Sequence, residues 1–237
     1  MTRSKSLMED TCSPEAIHLQ FSDKYDCDHA QHYFRKHRRG LLRQLTTWRE
    51  QAMARRALAL AGQPEVVLDL PCGAGRFWPL LAENPQRRIL AADYSEEMIQ
   101  VARKMQPAEL VRRVECFQCS AFETGLDDNS VDSVFCMRLL HHIIDPSHRL
   151  ALLKEFHRIT RDTVCVSLWV DGNYQAFRRI KRDLRQSRGS RQNRGVVPRR
   201  MVEEEFRQAG FEMQGHIDFL KLYSMWRLYV LRKGGRA

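Results

Sequence analysis

A chain of 237 residues with 43% hydrophobic content can bury a sizeable core as one α/β domain carrying extra segments. No stretch approaches the roughly 20 apolar residues of a membrane span, and the N-terminal "MTRSKSLMEDTCSPEA" has no apolar core of signal-peptide length. A cytoplasmic protein is expected, with peripheral contact at the inner face of a membrane left open, and its net charge of +10 is local: ten lysines and arginines lie between Ala176 and Arg200 against the single acid Asp183.

Residues 1–40 read as a polar tail and a candidate lid. Within it, Tyr25 is the candidate lid residue, while Tyr33 and Phe34 serve equally well as a plain anchor for the first helix. Leu41, Leu42, Leu45, Trp48 and the alanine-rich stretch to Leu60 predict that helix, stopped by Gly62 and Pro64. "EVVLDL" follows as a buried strand. Phe77, Leu80 and Leu81 predict a short helix from about Gly75 to Glu83, and "RRILAAD" is the next strand. Ser95 can cap a helix that buries Met98, Ala102 and Met105. "RRVECFQC", "SVDSVFCM" and "TVCVSLWV" read as three more strands, with a helix through Leu152, Phe156 and Ile159 between the last two. Such alternation implies a mainly parallel sheet covered on both faces. After the arginine-rich stretch, Pro198 opens a helix that ends at Gly210, and two strand-like runs then predict an antiparallel hairpin.

Seven cysteines are an odd number in a chain too large to need staples, so reduced, mostly buried thiols are expected. Cys116 and Cys119 form a C-x-x-C without a second pair, and strand alternation turns them to opposite faces; no metal site is expected.

The chemistry sits in "VVLDLPCGAGRF". At the carboxyl end of a central strand, Gly73 and Gly75 let the backbone approach a ligand, and the helix that follows offers free N–H groups. Asp93 closes the second strand, where a carboxylate can accept from both hydroxyls of a ribose. A dinucleotide would want a third small residue where Trp78 stands, which weighs against nicotinamide cofactors.

These residues resemble the class I S-adenosylmethionine-dependent methyltransferases. "VLDLPCGAGRF" is similar to the first motif of that family, "AADYSEEMI" to its acidic second motif, "CSAFETGLDDNSVDSVFCMRLLHHIIDP" to the adenine loop and fourth strand, and "EEEFRQAGFE" to the late helix. The likeness runs from about Glu65 to Lys233, within a domain drawn at 41–237 with an arginine-rich insertion at 176–200. It implies a Rossmann-like seven-stranded, mainly parallel sheet with helices on both faces and an antiparallel C-terminal hairpin.

By the same resemblance, Asp69, Gly73, Ala74 and Gly75 would hold the methionine part of S-adenosyl-L-methionine, Asp93 its ribose, and Tyr94 and Met98 would flank the adenine. Ser120 and Ala121 stand where many members have an aspartate before a small residue; Ser120, or the backbone of Ala121 or Phe122, would take the adenine edge. Arg138 falls where the family lines the sulfonium end. His142 and His141 are the base candidates, beside a plain loop role. Arg178, Arg179, Arg182 and Arg185, with Tyr25, are the candidate acceptor contacts.

The expected activity is methyl transfer to a small or lipid-linked, anionic acceptor, with oxygen favoured. RNA modification or nucleic-acid binding is the alternative raised by the basic run, although no Asn-Pro-Pro-aromatic motif follows strand four. A non-catalytic cofactor-binding partner protein is the third reading.

Overall fold

A computed structural model of the chain describes residues 41–185 and 195–235, so Tyr25 and the rest of 1–40 lie outside the described residues, as does 186–194. Helix α1 (Leu41–Leu60) leads into strand β1 (Val66–Asp69), one-turn helix α2 (Trp78–Leu81), β2 (Arg88–Asp93), α3 (Glu96–Met105), one-turn α4 (Ala108–Val111) and β3 (Val114–Gln118). Then come β4 (Val131–Cys136), a 3-10 turn (Leu140–His142), α5 (Pro146–Ile159), β5 (Thr160–Trp169), α6 (Tyr174–Arg185), α7 (Arg199–Gln208), β6 (Phe211–Asp218) and β7 (Trp226–Lys233).

The seven strands form one sheet in the order β3-β2-β1-β4-β5-β7-β6. All pairings are parallel except those of β7, which runs antiparallel to both β5 and β6. Strand order reverses between β1 and β4, the place where ligands bind, beyond the carboxyl ends of the strands, in open sheets of this kind. The expected fold class is therefore the observed one.

Each sheet face has its own apolar core. On one side Leu152, Phe156, Val202 and Phe206 of α5 and α7 pack on Val134, Val164 and Tyr229. On the other, Met53, Ala57 and Leu58 of α1, with Trp78, Leu80, Ile99 and Ala102, pack on Val67, Ile89 and Phe135. The buried stripe of α1 begins at Met53; Leu45 and Trp48 are exposed. No helix among the described residues is long and apolar enough to cross a membrane.

One expectation about a helix changes. The helix after β1 is confined to Trp78–Leu81, because Gly75 holds a left-handed backbone, φ +68, that a right-handed helix cannot include. The basic run is helical over Tyr174–Arg185, and Arg199 and Arg200 belong to the first turn of α7. Between β6 and β7 the chain takes a seven-residue loop, 219–225, longer than a tight hairpin turn.

Candidate active site

Backbone geometry at the end of β1 is set by a small network. The Cys72 amide donates to the carbonyl of Ala92 at 2.8 Å, and the Gly73 amide donates to Asp93 Oδ2 at 2.8 Å. Asp93 Oδ1 accepts from the Ser95 amide at 3.1 Å, so one carboxylate ties the glycine loop to the start of α3. Ser95 in turn caps α3 by accepting from the Met98 amide at 3.2 Å. From the far end of that helix, Gln106 Nε2 donates to the carbonyls of Ala74 and Gly75, both at 3.0 Å. Gly73 and Gly75 both have positive φ, +52 and +68, for different reasons of space. A Cβ on Gly75 would come within 2.7 Å of the Trp78 ring, whereas one on Gly73 would meet only Met98 Cε, at 3.5 Å. Gly75 thus serves the packing of the loop, and Gly73 leaves room beside Met98.

Two acids converge here. Asp69 is 1% exposed, and neither carboxylate oxygen has a hydrogen-bond partner at good geometry among the described residues. Burial, and then the charge of Asp93, push its pKa well above the usual carboxylate range, with only partial relief from Trp78. Burial also raises Asp93, against which the amides of Ser95, Gly73 and Tyr94 work. Such a pair favours a ligand that brings positive charge and donors. Tyr94 is exposed, while Met98 is buried with Ala74 and Val101, so the two line an exposed ring and an apolar floor. Burial pushes the Cys72 thiol well up, which fits a packing residue.

On the β3 side, the Cys119 amide donates to the Asp93 carbonyl at 3.1 Å. Ser120 Oγ accepts from the Phe122 amide at 3.2 Å, so the hydroxyl helps to shape its own turn. Ala121 and Phe122 are half-buried against the core, and Phe122 meets His148 edge-on at 6.4 Å.

At the end of β4, Arg138 also has positive φ, +66, and its amide donates to Ser167 Oγ at 2.8 Å. Its guanidinium lies 5.2 Å from the Trp226 ring and pairs with Glu50 of α1. Arg76, just past the glycine loop, pairs with the other oxygen of Glu50. A 5% exposed carboxylate therefore joins α1, the loop after β1 and the loop after β4. Sequence reasoning missed this residue, although Glu50 is the only acid in α1.

His141 is 3% exposed and stacks on Trp169 at 4.5 Å, with Trp226 at 4.9 Å and His142 at 4.2 Å. Its carbonyl accepts from the Gly195 amide at 2.8 Å. His142 is half-buried, so of the two it is the more accessible. The segment is braced by Arg149 of α5, also missed in the sequence, which donates to the carbonyls of Ile143 and Ile144 and forks onto Glu205 of α7.

Of the four arginines singled out in the basic run, the structure brings Arg179 to this cluster, its guanidinium 4.7 Å from the Trp169 ring and 3.6 Å from Asp183. Arg178 lies over Tyr174 at 5.8 Å, Arg182 is 61% exposed near Asp183, and Arg185 closes α6.

Residues 67–163 match the family described as "Methyltransferase domain". A methyltransferase-like protein of Schizosaccharomyces pombe is 30% identical over 102 residues, 43% of this chain and 36% of its own length. The demethylmenaquinone methyltransferase of Geobacillus stearothermophilus is 28% identical over 160 residues, 64% of this chain and 62% of its own length. The matched stretches thus span less than two thirds of these relatives. Among solved structures, magnesium protoporphyrin IX methyltransferase from Synechocystis PCC 6803 superposes with a TM-score of 0.73 at 13% identity, over 90% of this chain and 98% of that one. Residues 67–163 are thus identified as a methyltransferase domain, and the sheet order, glycine loop and strand-end acids around them are those of the class I methyltransferase fold.

Proposed function

We propose that the protein transfers a methyl group from S-adenosyl-L-methionine to an anionic acceptor, small or lipid-linked, at oxygen. The observation that carries the cofactor is Asp69, a buried acid whose carboxylate makes no hydrogen bond of good geometry among the described residues, next to a second buried acid at the strand-order switch point. S-adenosylmethionine brings an ammonium and a sulfonium, the charges that would relieve these two carboxylates, and a ribose diol for Asp93. The cofactor supplies an activated methyl group on sulfur. A solved neighbour, the Synechocystis enzyme, is described with S-adenosylhomocysteine bound.

In this reading the chain's own residues mainly bind, align and exclude water. Asp69 and the Gly73–Gly75 backbone hold the methionine end, Asp93 the ribose, and Tyr94 and Met98 flank the adenine, with its edge at Ser120, Ala121 and Phe122. Arg138, held by Glu50 and Trp226, fixes the wall of the reaction chamber. Alignment of this kind supplies most of the rate in an in-line displacement. His142 takes the proton when the acceptor is a hydroxyl.

Support for an anionic acceptor with a flat or apolar part comes from the wall of Trp169, Trp226 and His141, with Arg179 over Trp169. The Geobacillus relative is named for a quinone-type acceptor, which has such a shape. Nucleic acid is the second reading, motivated by the ten basic residues between Ala176 and Arg200. Release of S-adenosylhomocysteine against quinols, phenols, phosphorylated glycolipids and RNA tests both. Turnover on RNA alone would replace the first reading, and binding without turnover on any class would leave a cofactor-binding partner protein.

A further inference from the structure

Helix α6 presents three distinct arcs. Inward, Ala176 is buried and Arg179 faces Asp183, the only acid of the helix. Beside that arc, Phe177, Ile180 and Leu184 recur at i, i+3 and i+7 and are 64%, 43% and 82% exposed. The third arc carries Arg178, Lys181 and Arg182, all exposed. The β6–β7 loop is fastened to the start of this helix: the amides of Tyr174 and Gln175 donate to the carbonyls of Leu222 and Tyr223, both at 3.0 Å, and Tyr174 stacks on Tyr223 at 5.7 Å. That loop exposes Leu222 by 75%, with Leu220, Lys221 and Tyr223 exposed around it.

A helix that faced only water would not place three large apolar side chains on one exposed stripe. Grouped apolar residues with a cationic border mark a surface that meets something. From this arrangement we infer that α6 and the β6–β7 loop form a docking surface for an anionic lipid bilayer. The apolar stripe enters the boundary between headgroups and acyl chains, while the long stems of Arg178, Lys181 and Arg182 carry their charges out to the phosphates. Charge decides between occupants. The exposed border is cationic, and the one acid of the helix, half-buried Asp183, lies between Arg179 at 3.6 Å and Arg182 at 3.9 Å, so the net charge of the face matches a plane of phosphates. Two copies meeting through this face would set like charges against each other. Nucleic acid would gain nothing from Ile180 and Leu184. Arg179 also links the helix to Trp169, so a docked chain holds its acceptor wall close to the lipid surface.

This inference goes beyond the proposed reaction and can fail independently of it. The test is flotation of the full chain with phosphatidylcholine vesicles, with and without phosphatidylglycerol. Anionic vesicles should bind about tenfold more protein than neutral ones at about 0.1 M salt, and the excess should fall as salt rises. F177S/L184S should lose most of that binding while keeping its melting temperature and its affinity for S-adenosylmethionine. R178Q/K181Q/R182Q should lose the preference for anionic vesicles. Equal binding to both vesicle types by the wild-type chain, or full binding by F177S/L184S, overturns the inference. So does a wild-type dimer in light scattering that F177S/L184S turns into a monomer, since the stripe would then join two copies.

Discussion

The Gly73 amide donates to the carboxylate of Asp93 at 2.8 Å, so the side chain assigned to the ribose also anchors the loop assigned to the methionine end. Asp93→Ala removes this bond and the one from Ser95, each about 1.5–3 kcal/mol for a charged acceptor before water compensates. The expected outcome is a lower melting temperature together with at least a tenfold loss of S-adenosylmethionine affinity in calorimetry. Unchanged affinity would remove Asp93 from the cofactor site.

Asp69 couples pH to both stability and binding. Its folded-state pKa is raised, by burial first and the Asp93 charge second, so its neutral form contributes stability at low pH that is lost as pH rises through the raised pKa. Binding of a cationic cofactor needs the carboxylate and therefore strengthens as pH rises through the same value. Asp69→Asn should raise the melting temperature of the free chain at neutral pH, flatten its acid dependence, and weaken the cofactor by about 2 kcal/mol or more. Melting and calorimetry from about pH 5 to 8 check this; a cofactor affinity independent of both pH and the substitution contradicts it.

The two glycines should separate. Gly75→Ala meets the Trp78 ring as well as an unfavourable φ, and overpacking alone costs about 1–3 kcal/mol. Gly73→Ala carries the backbone penalty of about 1–2 kcal/mol with ordinary contact to Met98, and should stay folded with weakened cofactor binding. Thermal melts beside titrations read the difference; equal melting temperatures would mean that Trp78 gives way.

Glu50→Gln leaves Arg76 and Arg138 without their shared carboxylate. Both are partly exposed, so the cost should fall below the about 3–5 kcal/mol of a fully buried pair. Turnover should fall more than S-adenosylmethionine affinity, because Arg138 lines the wall shared with Trp226. Loss of stability with turnover intact would confine Glu50 to holding α1.

His142→Ala should lower turnover by about 10²-fold or more and remove the acidic limb of its pH profile if the acceptor is a hydroxyl. Near-normal turnover would leave His142 as a loop residue and catalysis to alignment.

The sheet was legible because short apolar runs, buried on both faces, alternate with helical stretches from Val66 to Trp169, and Asp69 and Asp93 stand at strand ends that such a pattern locates. Glu50 was not, since its partners lie 26 and 88 residues away and only packing brings them together. Gln106 was hidden for the same reason, reaching back 32 residues to Ala74. In the basic run, composition revealed the charge, but the apolar stripe of Phe177, Ile180 and Leu184 emerges only once α6 fixes the phase of the helix.

The most direct measurement is a calorimetric titration of the full chain with S-adenosylhomocysteine. Saturable one-to-one binding, weakened at least about tenfold in the Asp69→Asn and Asp93→Ala chains while both remain folded, is the predicted result. No binding to the folded wild-type chain, or binding that ignores both acids, would contradict the assignment of this site to the cofactor.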